Sequence, residues 1–194
     1  MTVHDVIYVP GIGDTKTTFQ ELAVKTWRLY GVVPHTFAMR WADGEAFESK
    51  FTRFLTYIDG LLAKGHRVSL VGASAGASVV LNAFAARPDI HGVVTIAGKI
   101  NRPEAIGAWY HRNAPAFVQS ARQAQDSLAT LTLEQRSRIN SRYGLIDVIV
   151  PQKDSIVKGA KNRKVLSIGH APTIAHQLTI GAPLHIRFLK RLPK

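Results

Sequence analysis

Residues 68–84 read Val-Ser-Leu-Val-Gly-Ala-Ser-Ala-Gly-Ala-Ser-Val-Val-Leu-Asn-Ala-Phe: a buried strand, a sharp turn and a helix. Residues 68–71 are apolar or small and suit a strand covered on both faces. Residues 72–76 spell Gly-x-Ser-x-Gly. A turn this tight pushes its central residue to φ above zero. It also brings the backbone so close to its neighbours that only a hydrogen fits at Gly72 and Gly76. Ala73 and Ala75 are small, as a crowded turn requires. Ser74 is left alone at the tip, on the N-terminus of the following helix, where the helix dipole favours developing negative charge. The plain alternative is a glycine-rich strand-to-helix turn with no chemistry.

The rest of the chain repeats the strand–helix alternation, which implies a parallel sheet with helices on both faces. Residues 4–9 form a first strand rich in Val, Ile and Tyr, running into Pro10-Gly11-Ile12-Gly13-Asp14. Thr15 or Thr17 is placed to cap the next helix, residues 17–30, with Phe19, Leu22, Ala23, Trp27 and Tyr30 on one face and Gly31 as its stop. A second strand is expected at 35–39. A helix follows at 46–63, with Phe47, Phe51, Phe54, Leu55, Ile58 and Leu62 as its buried stripe. The fourth strand is read at 90–97. Residues 101–138 break the rhythm with three helices, 103–110, 114–128 and 132–139. Thr132 and Gln135 are spaced as a capping box and Pro115 suits a helix first turn. A fifth strand is read at 139–143, a sixth at 164–168, and a helical tail at 172–192, interrupted near 181–183. Six strands give the spatial order 2-1-3-4-5-6 with Ser74 central. The expectation is one α/β domain, residues 1–194, with a helical insertion at about 101–138.

Composition removes several function classes. The chain has 194 residues, 46% of them hydrophobic and 20% charged, which is ordinary for a globular chain. It has no cysteine, which excludes disulfides, thiolate metal sites and a cysteine nucleophile. There is no apolar run of membrane-spanning length. The first strand starts almost at once, leaving no room for a signal peptide, so a cytoplasmic location is expected. No His, Asp and Glu cluster has metal spacing, and the glycines at 11 and 13 fit neither a dinucleotide fingerprint nor a Walker loop.

A serine hydroxyl is a poor nucleophile until a histidine accepts its proton, and that histidine needs a carboxylate to hold its tautomer. Ser74, Asp147 and His170 each follow a predicted strand, and in a parallel sheet such loops open on the edge where ligands bind. Their chain order is the Ser, Asp, His order of α/β-hydrolases. Gly72-Ala-Ser-Ala-Gly76, Asp147-Val-Ile-Val-Pro151 and Ser167-Ile-Gly-His170 together resemble the small bacterial lipases and esterases of that superfamily, which lack a large cap domain. The resemblance spans about residues 4–190 and is loose over 101–138. It implies a serine hydrolase acting on an ester or related acyl bond through an acyl-enzyme. The backbone N–H groups of Ile12 and Ala75 would form the oxyanion hole. Gly11 and Gly13 would line the substrate site, and Trp109, in the loosely matched stretch, is a further candidate to line it by its position. The family usually has His-Gly where this chain has Pro10-Gly11; Pro10 removes a side-chain contact and keeps the Ile12 amide. No cofactor is implied. An acyltransferase or thioesterase would use the same three residues, and a hydrolase-fold binding module without turnover is the reading from another class.

Asp154 is the rival acid, with Asp147 favoured by its Ile-Val-Pro context and its distance from His170; Asp154 then reads as a helix cap. His176 and His185 read as surface or packing residues. Trp109, Tyr110 and His111 sit among the inserted helices, where packing competes with an acyl-pocket role. Lys99, Asn101 and Arg102 follow the fourth strand, as a solvated loop or as contacts to a polar substrate group. The net charge of +12 is uneven: residues 1–97 hold 9 basic and 8 acidic side chains, residues 98–194 hold 16 and 5. The excess recurs at Arg136, Arg138 and Arg142, at Lys153, Lys158, Lys161, Arg163 and Lys164, and at Arg187, Lys190, Arg191 and Lys194. If these share a face, an anionic surface such as phospholipid or nucleic acid is a candidate partner; a merely soluble surface is the alternative.

Overall fold

A computed structural model describes residues 2–193. In chain order the elements are β1 (His4–Val9), α1 (Thr18–Lys25), β2 (Val33–Thr36), α2 (Phe47–Leu62), β3 (Arg67–Ala73), α3 (Gly76–Ala86) and β4 (Gly92–Ile96). There follow α4 (Ala108–Asn113), α5 (Pro115–Thr130), α6 (Leu133–Ser137), β5 (Ile139–Ile146), α7 (Gln152–Ser155), β6 (Lys161–Ile168), α8 (His170–Leu178) and α9 (Ala182–Arg191). The strands form one sheet in the order β2-β1-β3-β4-β5-β6, every pair parallel, which is the order expected from the sequence.

β1 and β4 are buried at every residue and β3 at all but its first, which is why they read as unbroken Val and Ile runs rather than alternating ones. One face packs α2, α3 and α5 through Phe54, Ile58, Val80, Phe84 and Phe117. The other packs α1, α8 and α9 through Val24, Trp27, Leu178, Ile186 and Leu189. α5 is a full member of the first layer, not an appendage. Ser120 Oγ lies 2.7 Å from Ser78 Oγ on α3, and Asn82 donates to the Ser120 carbonyl. Of the expected insertion, only the short 3₁₀ turn Pro103–Ala105 and α4 stand over the strand ends.

Several boundaries differ from the sequence reading. β2 is Val33–Thr36, not 35–39. After Phe37 donates to the Tyr8 carbonyl the chain leaves the sheet, and Met39 and Trp41 bury themselves from a loop. The helix expected at 17–30 is α-helical only to Lys25 and then tightens into a 3₁₀ turn, Thr26–Tyr30, ended by Gly31 at φ 73°. Its buried side is Ala23, Val24 and Trp27; Phe19 and Leu22 face solvent. Thr17 sits at the N-cap, but its hydroxyl donates to the Glu21 carboxylate, 2.5 Å, instead of accepting a backbone amide. The helix expected at 103–110 is split into the 3₁₀ turn and α4, whereas the Thr132–Gln135 capping box is present. β5 and β6 are longer than expected: β5 runs on to Ile146, and β6 begins at Lys161, three residues before the expected start.

Candidate active site

The turn between β3 and α3 has the geometry its glycines demand. Ser74 sits at φ 52°. A Cβ on Gly72 would collide with the Gly76 carbonyl, and one on Gly76 with the Val9 carbonyl of the neighbouring strand. Ser74 is anchored by its own N–H, which donates to the Ile96 carbonyl at 2.9 Å. The loop after β1 closes over this turn. Trp41 Nε1 donates to the Pro10 carbonyl at 3.2 Å, and Asp14 accepts from the Arg40 N–H at 2.5 Å, so the loop is fixed from outside. Burial raises the Asp14 carboxyl above its ordinary value against the pull of those backbone amides. Among the described residues the N–H groups of Ile12 and Ala75 have no hydrogen-bond acceptor, so two donors stay free beside Ser74.

The structure brings together the three side chains the sequence singled out. His170 Nε2 is 2.9 Å from Ser74 Oγ, and His170 Nδ1 is 2.7 Å from Asp147 Oδ2. The other oxygen of Asp147 accepts from the N–H groups of Ile149 (2.9 Å) and Val150 (2.8 Å), which fixes the carboxylate plane. Since a carboxylate only accepts, Nδ1 carries the hydrogen and Nε2 is left to accept from the serine hydroxyl. Gly169, at φ 94°, turns the chain out of β6 and starts α8 at His170, so the imidazole stands on a helix N-terminus rather than a free loop.

Ser74 and His170 open into a cavity of about 630 Å³. Its lining includes Gly11, Ile12, Tyr110, Phe117 and Trp109, which is 53% exposed and meets Tyr110 edge-on at 5.1 Å. Gly13 lies outside the cavity lining; its φ of 90° turns the loop, and its carbonyl accepts from Lys16. Asp154 is no helix cap. It is 1% exposed and accepts from Lys99 Nζ (2.7 Å) and Arg102 Nε (2.5 Å), which corrects the solvated-loop reading of those two cations. Asn101 ties the same loop to the carbonyls of Lys153 and Ile156. His185 is fully buried, edge-on to Trp27 at 5.4 Å.

Tyr8 and Gln20 were not singled out from the sequence. Both line the cavity, and the Tyr8 hydroxyl donates to Gln20 Oε1 at 2.6 Å. Burial raises the Tyr8 phenol far above its ordinary range, so it stays a neutral donor. The available signal was position, because Tyr8 is the next-to-last residue of the strand that feeds the Gly11 loop. Val148 and Ile149, exposed and next to Asp147, add an apolar rim.

No protein-family model matches the chain, and no curated protein matches it in sequence. Solved structures do match in shape. Est1E from Butyrivibrio proteoclasticus superposes with a TM-score of 0.73 at 16% identity, over 97% of this chain and 89% of that one. The esterase domain of a Rhodothermus marinus protein gives 0.74 at 14%, over 99% and 88%. A Paleococcus ferrophilus monoacylglycerol lipase gives 0.68 at 13%, over 96% and 94%. With its six parallel strands in the order 2-1-3-4-5-6 and helices on both faces, the chain has the α/β-hydrolase fold, in a small form without a large cap.

Proposed function

We propose that the chain is a serine hydrolase that cleaves a carboxylic ester or related acyl bond of a small molecule through an acyl-enzyme. The observation that carries this is the continuous hydrogen-bonded line from Asp147 through His170 to Ser74 Oγ in the lining of a cavity. The shared fold with esterases and a lipase supports it. In this reading Ser74 Oγ attacks the acyl carbon as its proton passes to His170 Nε2. Asp147 holds the imidazole in the accepting tautomer and stabilises it when charged. The carbonyl oxygen becomes an oxyanion held by the Ile12 and Ala75 amides, donors of a kind worth about 3 to 4 kcal/mol each. His170 then protonates the departing alkoxide. Water attacks the acyl-Ser74 ester, again losing its proton to His170, and the collapse of that intermediate frees the acid and restores the Ser74 hydroxyl.

Trp109, Tyr110 and Phe117 give the acyl or alcohol group an aromatic wall, and Gly11 lets the backbone approach it. Trp109 of α4 and Val148 and Ile149 of the loop after β5 line the cavity and are exposed, so short-acyl soluble esters should react without a lipid interface. Among the described residues no helix is long and apolar enough to cross a membrane. The direct test is hydrolysis of p-nitrophenyl acetate and butyrate by the wild type and Ser74→Ala. Turnover lost by several orders of magnitude in the variant, with an unchanged melting temperature, supports the reading. Equal turnover removes it.

A further inference from the structure

The basic excess of the second half does not share one face. Arg136 spends its guanidinium on the carbonyls of Leu128, Leu131 and Lys158, and Arg138 lies over Phe84, both on the α5 side of the sheet. Arg142, Lys161, Arg163, Arg187 and Arg191 gather instead on the opposite face. They line a groove of about 610 Å³ between β5, the edge strand β6, α8 and α9, which shares no lining residue with the cavity at Ser74.

Arg142 is the unusual member. It is 7% exposed, yet among the described residues its only side-chain hydrogen bond is to the neutral Gln177, 3.0 Å, and its Nε is buried with no partner. A buried guanidinium without a carboxylate is costly. In the β5–β6 register Arg142 stands beside Arg163, so two like charges adjoin on one face, an arrangement that is itself destabilising. Burial, and then the charge of Arg163, press Arg142 below its ordinary value. Among the described residues no carboxylate pairs with Arg142. Between residues 140 and 193 the only acidic side chains are Asp147 and Asp154, both buried and committed to His170 and to Lys99 with Arg102. Lys161 is held over the Phe188 ring at 5.1 Å, at the side of the groove.

We propose that this groove is a binding site for a soluble phosphate-bearing anion, seated on Arg142 and clamped by Arg163, Arg187 and Arg191. The planar fork of arginine matches phosphate oxygens in pairs, and several such forks in one groove suit a ligand with more than one phosphate. The depth of Arg142 selects a soluble ligand, because a flat bilayer surface cannot reach a side chain beneath β6 and α9.

The test uses the full chain with inorganic pyrophosphate as probe, by calorimetry and by thermal shift at low salt. One-to-one binding is expected with a raised melting temperature, weakening steeply as salt is added. Arg142→Met should raise the melting temperature without ligand, since it removes an unpaired buried charge, and weaken pyrophosphate at least about tenfold, the cost of one lost charge-assisted pair. Should Arg142→Met misfold, the exposed pair Arg163→Ser with Arg187→Ser must show the same loss. Ester turnover should stay at the wild-type level in all these variants. Absence of any shift or heat with pyrophosphate, equal binding by the variants, or binding only to phosphatidylglycerol vesicles would each overturn the proposal.

Discussion

A Cβ placed on Gly11 would fall 2.7 Å from the Cβ of Ser74 and 3.2 Å from its Oγ. The loop after β1 therefore touches the serine turn through hydrogen alone. Gly11→Ala should force loop and serine apart. Ester turnover should drop by two or more orders of magnitude, about the loss of one misplaced oxyanion donor, while the far-ultraviolet spectrum stays native. Steady-state kinetics with p-nitrophenyl butyrate check this.

The two acids should fail in different ways. Asp147→Asn keeps a carbonyl oxygen for the Ile149 and Val150 amides, so the fold should hold. The wrong imidazole tautomer should cost about 10⁴ in turnover. Asp154→Asn leaves the 8%-exposed Lys99 facing a neutral amide. Breaking a buried pair in this way costs about 3 to 5 kcal/mol, so melting should fall by about 10 °C while turnover of a neutral ester, measured well below that temperature, stays close to wild type. Melting curves and initial rates on both variants separate the roles.

Most of the first half was legible because its signals are local. Gly72 and Gly76 announce a turn that tolerates no Cβ, and buried Val and Ile runs between helical stripes force a parallel sheet. Ser74, Asp147 and His170 could be named because each follows a strand, and parallel topology sends all such loops to one edge. What stayed hidden depends on tertiary partners. Asp154 looks like a cap until Lys99 and Arg102 are seen to close on it. Phe19 and Leu22 look buried with Trp27 until α1 is seen to turn Ala23 and Val24 inward, leaving the other two in solvent. α5 looked inserted because only its contact with Ser78 and Asn82 shows that it completes the layer. Tyr8 carries no motif and becomes part of the cavity only through its place near the end of β1.

Stability should depend on pH through His185. Its ring is fully buried, neither nitrogen has a partner among the described residues, and burial, then the charge of Arg142, lower its pKa from 6.5 to about 3. The unfolded state therefore binds a proton that the folded state refuses. Stability from the neutral ring is fully present above pH 6.5 and is lost as pH falls toward about 3. His4, lowered to about 4 by burial and then by His91, acts in the same direction. Melting temperature should fall steadily on acidification below neutrality. His185→Leu should flatten that slope and raise melting at pH 7, because two unsatisfied ring nitrogens leave the core. Melting curves from pH 4 to 8 on both proteins check this.

The most direct measurement is covalent capture of Ser74. Wild-type protein treated with a fluorophosphonate should gain one adduct by intact mass, mapped to Ser74, and ester turnover should fall in step with the labelled fraction. Asp147→Asn should label far more slowly, because the nucleophile loses its base, and Ser74→Ala should not label at all. Turnover that persists after Ser74 is fully modified, or an adduct on another residue that tracks the loss of activity, would contradict the account.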